Sequence, residues 1–141
     1  MTTLDRCICL AVEAHSGQIY HHPTGDQPYI LHCLRVMLRV DTDKLRQVAV
    51  LHDVLEDTDA PLSRINIDTG IDPDVSDAIV ILYRNNHSSY SAYIWSIALS
   101  RHPLAIPVKI ADLKENLSCN STDEQRARYE KALTILESVD L

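Results

Sequence analysis

Apolar residues recur at helical spacing along nearly the whole chain. Leu4, Cys7, Ile8 and Ala11 form the first stripe, behind Thr2 or Thr3 as N-cap, and this helix is expected to end near Ser16-Gly17. The segment Gln18 to Gln27, QIYHHPTGDQ, breaks the pattern and reads as a polar loop. Pro28 suits the first position of a second helix carrying Ile30, Leu34, Met37 and Leu38. Thr42 or Asp41 caps a third, with Leu45, Val48, Ala49, His52 and Leu55 along one face. Residues 58–70 read as a connector with one short helical turn after Pro61. Asp72-Pro73 then opens a helix through Val75, Ala78, Ile79 and Leu82, and Ser88-Ser89 opens another through Tyr90, Tyr93, Ile94 and Ile97. Pro103 and Pro107 bracket the entry to the next, whose stripe is Ile106, Ile110, Leu113 and Leu117. Ser121 and Glu124 form a capping box for the last helix, which packs through Tyr129, Leu133 and Leu136. The pattern predicts an all-α fold, a single compact bundle of about six to eight helices over residues 1–141.

Composition agrees with that class. Only 3 glycines punctuate a chain that is 45% hydrophobic, which favours helices over turn-rich strands. The formal net charge is −7, with no Lys/Arg stripe, so a polymeric nucleic acid would be repelled at long range. A small anion is still admissible, because one divalent ion can reverse the local potential. The four cysteines have no CxxC pair, and Cys7 and Cys9 fall on different helix faces, so they read as small apolar residues in a reducing compartment. Met1 to Asp5 carries no signal-peptide pattern, and no apolar run approaches the roughly 20 residues that span a bilayer. The expectation is a soluble, cytoplasmic chain with no membrane partner; oligomeric state is not legible in the sequence.

The third helix contains a conflict. Its core-facing stripe runs Leu45, Val48, Ala49 and then meets His52, with Asp53 beside it and Glu56 and Asp57 one turn on. Like carboxylates at i,i+3 and i,i+4 repel each other, and a bound divalent cation would remove that penalty. A satisfied core histidine beside a solvated acidic helix end is the competing explanation. Two other segments bear on the choice. PYILH places His32 early in the second helix, and VKIADLKEN places Asp112 in an apolar helix with Asn116 one turn further. Asp112 alone could be a charge partner for Lys109. Together, a histidine, a His-Asp pair and an aspartate on separate helices offer nitrogen and oxygen donors suited to six-coordinate Mn²⁺, Fe²⁺ or Mg²⁺. The absence of a thiolate argues against a structural zinc.

The order H…HD…D resembles the HD superfamily of metal-dependent phosphohydrolases. The finer pattern is similar to the hydrolase domain of the RelA/SpoT proteins and their small stand-alone relatives, through AHSGQ (Ala14 to Gln18), PYILH (Pro28 to His32), LHDVLEDT (Leu51 to Thr58) and KIADLKEN (Lys109 to Asn116). The resemblance implies an HD-domain helical bundle with one divalent metal, Mn²⁺ first among the choices, on His32, His52, Asp53 and Asp112. It implies Glu56 and Asp57 as catalytic carboxylates, Asn116 as a binding-site residue, and removal of the 3′-pyrophosphate of (p)ppGpp to give GDP or GTP. The chain departs from the family pattern after Gln18, where Tyr20, His21 and His22 replace the usual basic residues, and at Cys33, which stands where a proline is common. His21, His22, Arg84 and Lys114 are the candidate phosphate contacts, each with a bland reading as a solvated side chain. Two other functions fit the same residues: an HD-type nucleotidase acting on another nucleotide, and a nucleotide- or metal-binding sensor without turnover.

Overall fold

Side-chain caps fix most of the helix starts. A computed structural model of the chain describes residues 1–84, 87, 89–119 and 121–141. Helix α1 (Thr3–Ala14) begins at a capping box in which Thr2 and Asp5 satisfy each other's backbone N–H groups. A hairpin of β1 (Ile19–His22) and β2 (Gly25–Pro28) follows, then α2 (Ile30–Leu38), α3 (Asp43–Leu51), α4 (Val54–Asp57) and α5 (Leu62–Thr69). Next come α6 (Pro73–Ile81), α7 (Tyr90–Ser100), α8 (Ala105–Ser118) and α9 (Asp123–Glu137). Thr42 caps α3 through the Leu45 N–H, and Ser89 caps α7 through Ala92; Ser88 lies outside the described residues.

The all-α expectation holds apart from that small hairpin, and five local expectations are corrected. The segment read as a loop pairs Ile19 with Pro28 and His22 with Gly25 around a Pro23-Thr24 turn. Gly25 sits at φ +124°, a conformation L side chains rarely adopt. Pro28 therefore ends a strand instead of opening a helix, and α2 starts two residues later. The connector after Pro61 is a full eight-residue helix, α5, closed by Gly70 at φ +70°. The last capping box is Thr122 with Gln125, one residue beyond the predicted pair, because the Ser121 hydroxyl donates to the Asn116 carbonyl. Finally, the third helix does not run through the His-Asp pair. The His52 imidazole Nδ1 donates to the Ala49 carbonyl, the acceptor that the Asp53 N–H would use in an unbroken helix. The ladder stops there and restarts as the single turn α4.

Helix α3 is the centre of the fold. Gln47, Val48, Ala49, Val50 and Leu51 are all buried, and the helix packs against α1, α2, α6 and α8. Ile65, Ile79, Ile94, Ile97, Ile106, Leu113 and Leu136 complete one continuous core around it. Each such side chain stabilises the fold by about 1.5–3 kcal/mol relative to exposure. The broken end of this best-anchored helix is thus held rigidly. Among the described residues, no helix is long and apolar enough to cross a membrane.

Candidate metal centre

Four side chains from three places in the chain meet beyond the end of α3. His32 comes from the first turn of α2, His52 and Asp53 from the break between α3 and α4, and Asp112 from the middle of α8. His32 Nε2 lies 3.0 Å from Asp112 Oδ1 and 3.9 Å from Asp53 Oδ2. His52 Nε2 lies 3.0 Å from Asp53 Oδ2 and 3.4 Å from Asp112 Oδ1. Adjacent donors around one octahedral ion with bonds of about 2.1 Å stand roughly 3.0 Å apart, and opposite ones roughly 4.2 Å. The observed spacings fall in that range. The break in the helix matters here, because consecutive residues of a continuous helix point about 100° apart and could not both face one centre.

The protonation pattern also fits a cation. With the Nδ1 proton of His52 committed to Ala49, its Nε2 lone pair faces two carboxylate oxygens and makes no hydrogen bond. His32 Nδ1 is buried without a partner as well. A lone pair aimed at carboxylates is repulsive unless a proton or a metal ion lies between them. Accordingly, although burial opposes charge on His52, Asp53 and Asp112 outweigh it and hold its pKa well above the usual value. Burial likewise pushes the Asp53 carboxyl up, but His52 prevails and brings it down to about 2. For Asp112, burial is overcome by the Lys109 ammonium and by the two histidines, which hold it well below the carboxylate range. Lys109 Nζ donates to Asp112 Oδ2 at 2.9 Å, leaving Oδ1 for the cluster. Asp112 is therefore both a charge partner of Lys109 and a member of the cluster.

The EDT turn lies alongside. One oxygen from each of Asp53, Glu56 and Asp57 falls within a 4.8 Å group. Glu56 Oε1 accepts from the Arg84 backbone N–H at 2.7 Å, which ties the chain just after α6 to α4. Asp57 is pushed up to about 6, first by loss of water on its inner side and then by the charges of Asp53 and Glu56. Tyr29, from the PYILH segment, donates its hydroxyl to Asp53 Oδ2 at 2.6 Å and lies 3.5 Å from Asp57 Oδ2. Gln18, from AHSGQ, accepts from His15 Nδ1 at 2.8 Å and donates its amide to the Asp57 carbonyl at 2.7 Å. Burial lowers the His15 pKa, against the bond to Gln18, which raises it. Tyr29, Gln18 and His15 all lie in the AHSGQ and PYILH motifs, but their roles are not legible in the sequence.

A cavity of about 150 Å³ opens beside the cluster, lined by His52, Asp53, Glu56, Arg84, Lys109, Asn116 and Arg128 among others. It brings Arg84 and Asn116 to the centre and adds Arg128, which the sequence did not single out. The other candidate contacts lie elsewhere. Lys114 lines a separate groove of about 800 Å³ with Arg39, Arg46 and Leu136. His21 is 84% exposed and pairs with Asp26, on the rim of a second groove that shares Asn116 and Tyr129 with the cavity. His22 is bound to Thr24 within the hairpin turn. Tyr20, not a cation, is the hairpin side chain that reaches inward: its ring stacks on His32 at 5.0 Å and its hydroxyl donates to Asn116 Oδ1 at 3.4 Å.

No protein-family model matches the chain, and no curated protein sequence matches it. Among solved structures, a similar one is that of a metazoan ortholog of SpoT, a protein that hydrolyses ppGpp and plays a role in starvation responses. The two share 23% sequence identity over 99% of this chain and 88% of that one, with a TM-score of 0.80. The chain has the fold of this SpoT ortholog, and its His-Asp cluster fits a site of the HD type.

Proposed function

We propose that the chain is a metal-dependent phosphohydrolase that removes the 3′-pyrophosphate of (p)ppGpp, giving GDP or GTP and pyrophosphate. The observation that carries this reading is the convergence of His32, His52, Asp53 and Asp112 beside Glu56 and Asp57, in a fold shared with a ppGpp hydrolase. One divalent ion, Mn²⁺ in the first instance, would be held by those four side chains, where it would polarise a phosphoryl oxygen and lower the pKa of a nearby water. Ala49 fixes the His52 tautomer, Lys109 fixes Asp112, and Tyr29 fixes Asp53. Glu56 and Asp57 divide the proton work: one takes the proton of the attacking water and the other delivers one to the leaving 3′-oxygen. Asn116 and Arg84 orient the nucleotide from the cavity wall.

The test is a pyrophosphate-release assay on ppGpp with metal-free protein and then with Mn²⁺ added. Mn²⁺-dependent release with GDP as co-product is the expected result. Protein that binds Mn²⁺ but releases nothing from ppGpp would refute the substrate. One observation favours a second reading, a nucleotidase of the same site: in the segment where the resembled family carries basic residues, the side chain that reaches His32 is the neutral Tyr20 ring. Orthophosphate release from a nucleoside monophosphate would support it.

A further inference from the structure

Two guanidinium groups share one aromatic ring in the wall of the cavity. The Arg128 Cζ lies 4.6 Å from the centre of the Tyr90 ring and the Arg84 Cζ lies 5.2 Å from it. Both residues line the cavity that holds His52, Asp53 and Glu56. Neither has a carboxylate within ion-pair distance among the described residues, although acids outnumber Lys and Arg by 20 to 13 in this chain. Other arginines do find acids: Arg64 meets Glu13 and Asp68, Arg126 meets Glu130, and Arg35 and Arg39 share Glu115. The remaining cation of the cavity, Lys109, is bound to Asp112. The Tyr90 hydroxyl, also in this wall, is buried with no hydrogen-bond partner.

Two like charges on one ring, with an unpartnered hydroxyl on that same ring, are an arrangement that an anion completes. The cluster cannot be that anion's whole complement. Asp53, Asp112, Glu56 and Asp57 together offset a divalent ion and the Lys109 ammonium, so a phosphate held there gains little net neutralisation. A second phosphate brings further negative charge, and paired guanidinium forks match its oxygens.

We propose that Arg84 and Arg128, stacked on Tyr90, seat the outer phosphate of a diphosphoryl group whose inner phosphate reacts at the cluster. The pair thereby selects diphosphoryl over monophosphoryl esters. This rests on the hydrolase reading above and deepens it. In the selected reaction, the water oxygen bonds to the inner phosphorus and the bond from that phosphorus to the ester oxygen breaks. The ester oxygen takes one proton and leaves as a hydroxyl, and the diphosphate departs intact with the water oxygen.

The experiment titrates Mn²⁺-loaded protein with inorganic pyrophosphate and, separately, with inorganic phosphate. The unmodified protein is expected to prefer pyrophosphate. Arg84→Gln and Arg128→Gln should each weaken pyrophosphate at least tenfold while changing phosphate less than threefold. Arg128→Lys, which keeps a cation over the ring but loses the fork, should fall between. Arg126→Gln, on the same helix but outside the cavity, should match the parent. Variants that fold and hold Mn²⁺ normally yet keep the parent's pyrophosphate affinity would overturn the proposal. If Arg84→Gln or Arg128→Gln lowers Mn²⁺ affinity or thermal stability, Arg128→Lys decides: parental affinity for pyrophosphate in that variant overturns the fork. The two readings fail separately. Arginine-dependent pyrophosphate binding without hydrolysis of ppGpp supports the seat and removes the hydrolase, whereas ppGpp hydrolysis with an unchanged KM in both Gln variants removes the seat alone.

Discussion

Replacing Tyr29 by Phe isolates one bond of the candidate metal centre. The ring keeps its tilted contacts with His15 at 4.9 Å and His32 at 5.6 Å, so only the hydroxyl is lost. That hydroxyl donates to Asp53 Oδ2 at 2.6 Å, the length of a charge-assisted O–H···O⁻ bond. Burial first, and then Asp53, raises the Tyr29 pKa far above the usual phenol value, so the group is a donor at every relevant pH. A hydrogen bond to a charged group stabilises by about 1.5–3 kcal/mol. For a chain of this size that is a fall of roughly 3–12 °C in the melting temperature of the metal-free protein. Loss of an outer partner of a ligating carboxylate weakens metal about 10–100-fold. At fixed Mn²⁺ well above Kd, that removes a further ~1.4–2.7 kcal/mol of ligand stabilisation, so the gap between parent and variant should widen in Mn²⁺. Calorimetric titration with Mn²⁺ and thermal melts with and without it measure both effects. Mn²⁺ affinity within twofold of the parent, together with equal melting temperatures in both conditions, would refute a supporting role for this hydroxyl.

Three other substitutions probe separate parts of the molecule. His52→Ala should abolish Mn²⁺ binding in a titration, and its stability cost should be smaller in metal-free buffer than in saturating Mn²⁺. Asp57→Asn should retain Mn²⁺ affinity and lose ppGpp turnover by 100-fold or more, roughly the lower bound for a proton-transfer group; full activity would remove Asp57 from the mechanism. Glu115→Gln tests the ion pairs with Arg35 and Arg39, 3.3 and 3.2 Å away. Burial opposes the Glu115 charge, but the bonds from Arg39 and Cys119 prevail and hold its pKa below 4.5 in the folded state. Its contribution is therefore present above the unfolded value and lost as pH falls through the folded one. The variant should be less stable than the parent by about 1–2 kcal/mol at pH 7, with the difference shrinking below pH ~4.5 in acid melts.

The sequence carried the helices well because their apolar stripes repeat over several turns, as at Val75, Ala78, Ile79 and Leu82. It carried the cluster because His32, His52, Asp53 and Asp112 are chemically out of place on apolar faces. What it missed follows from interactions distant in sequence. The hairpin has little alternation over four-residue strands, and it exists because Ile19 meets Pro28 across a turn. The break after Leu51 is caused by a side chain, His52, taking a backbone acceptor, which no periodicity reports. Helix α5 has a weak polar-rich stripe, and its existence depends on Ile65 and Thr69 packing under α1. Arg128 looks like any solvated arginine of α9 until Tyr90, 38 positions earlier, is seen beneath it. Tyr29 and Gln18 had a local signal, their place in quoted motifs, but nothing in sequence shows that each reaches across to the Asp53–Asp57 turn.

Removing the metal tests whether the cluster was built for one. Without a cation, the fold buries two carboxylates, two imidazoles and an ammonium, all 15% exposed or less at the side chain. Lys109 neutralises one carboxylate, so the other must be met by a proton on an imidazole, and His52 Nε2 and His32 Nδ1 still lack hydrogen bonds. Buried ionic groups of this kind seldom add net stability over apolar residues of equal volume. Both Nε2 lone pairs and both carboxylates would hold a divalent ion, and the extra proton would then leave. Mn²⁺ at 100 times its Kd should therefore raise folding stability by about 2.7 kcal/mol, roughly 5–11 °C in melting temperature, relative to protein in chelator. Binding should also release protons, measurable as a buffer-dependent heat in titration calorimetry, because the raised His52 pKa belongs to the metal-free state. A Mn²⁺ titration with no proton release and no thermal shift would mean that the buried charges serve the fold as an ion-pair network, and the metal centre would fall with the hydrolase built on it.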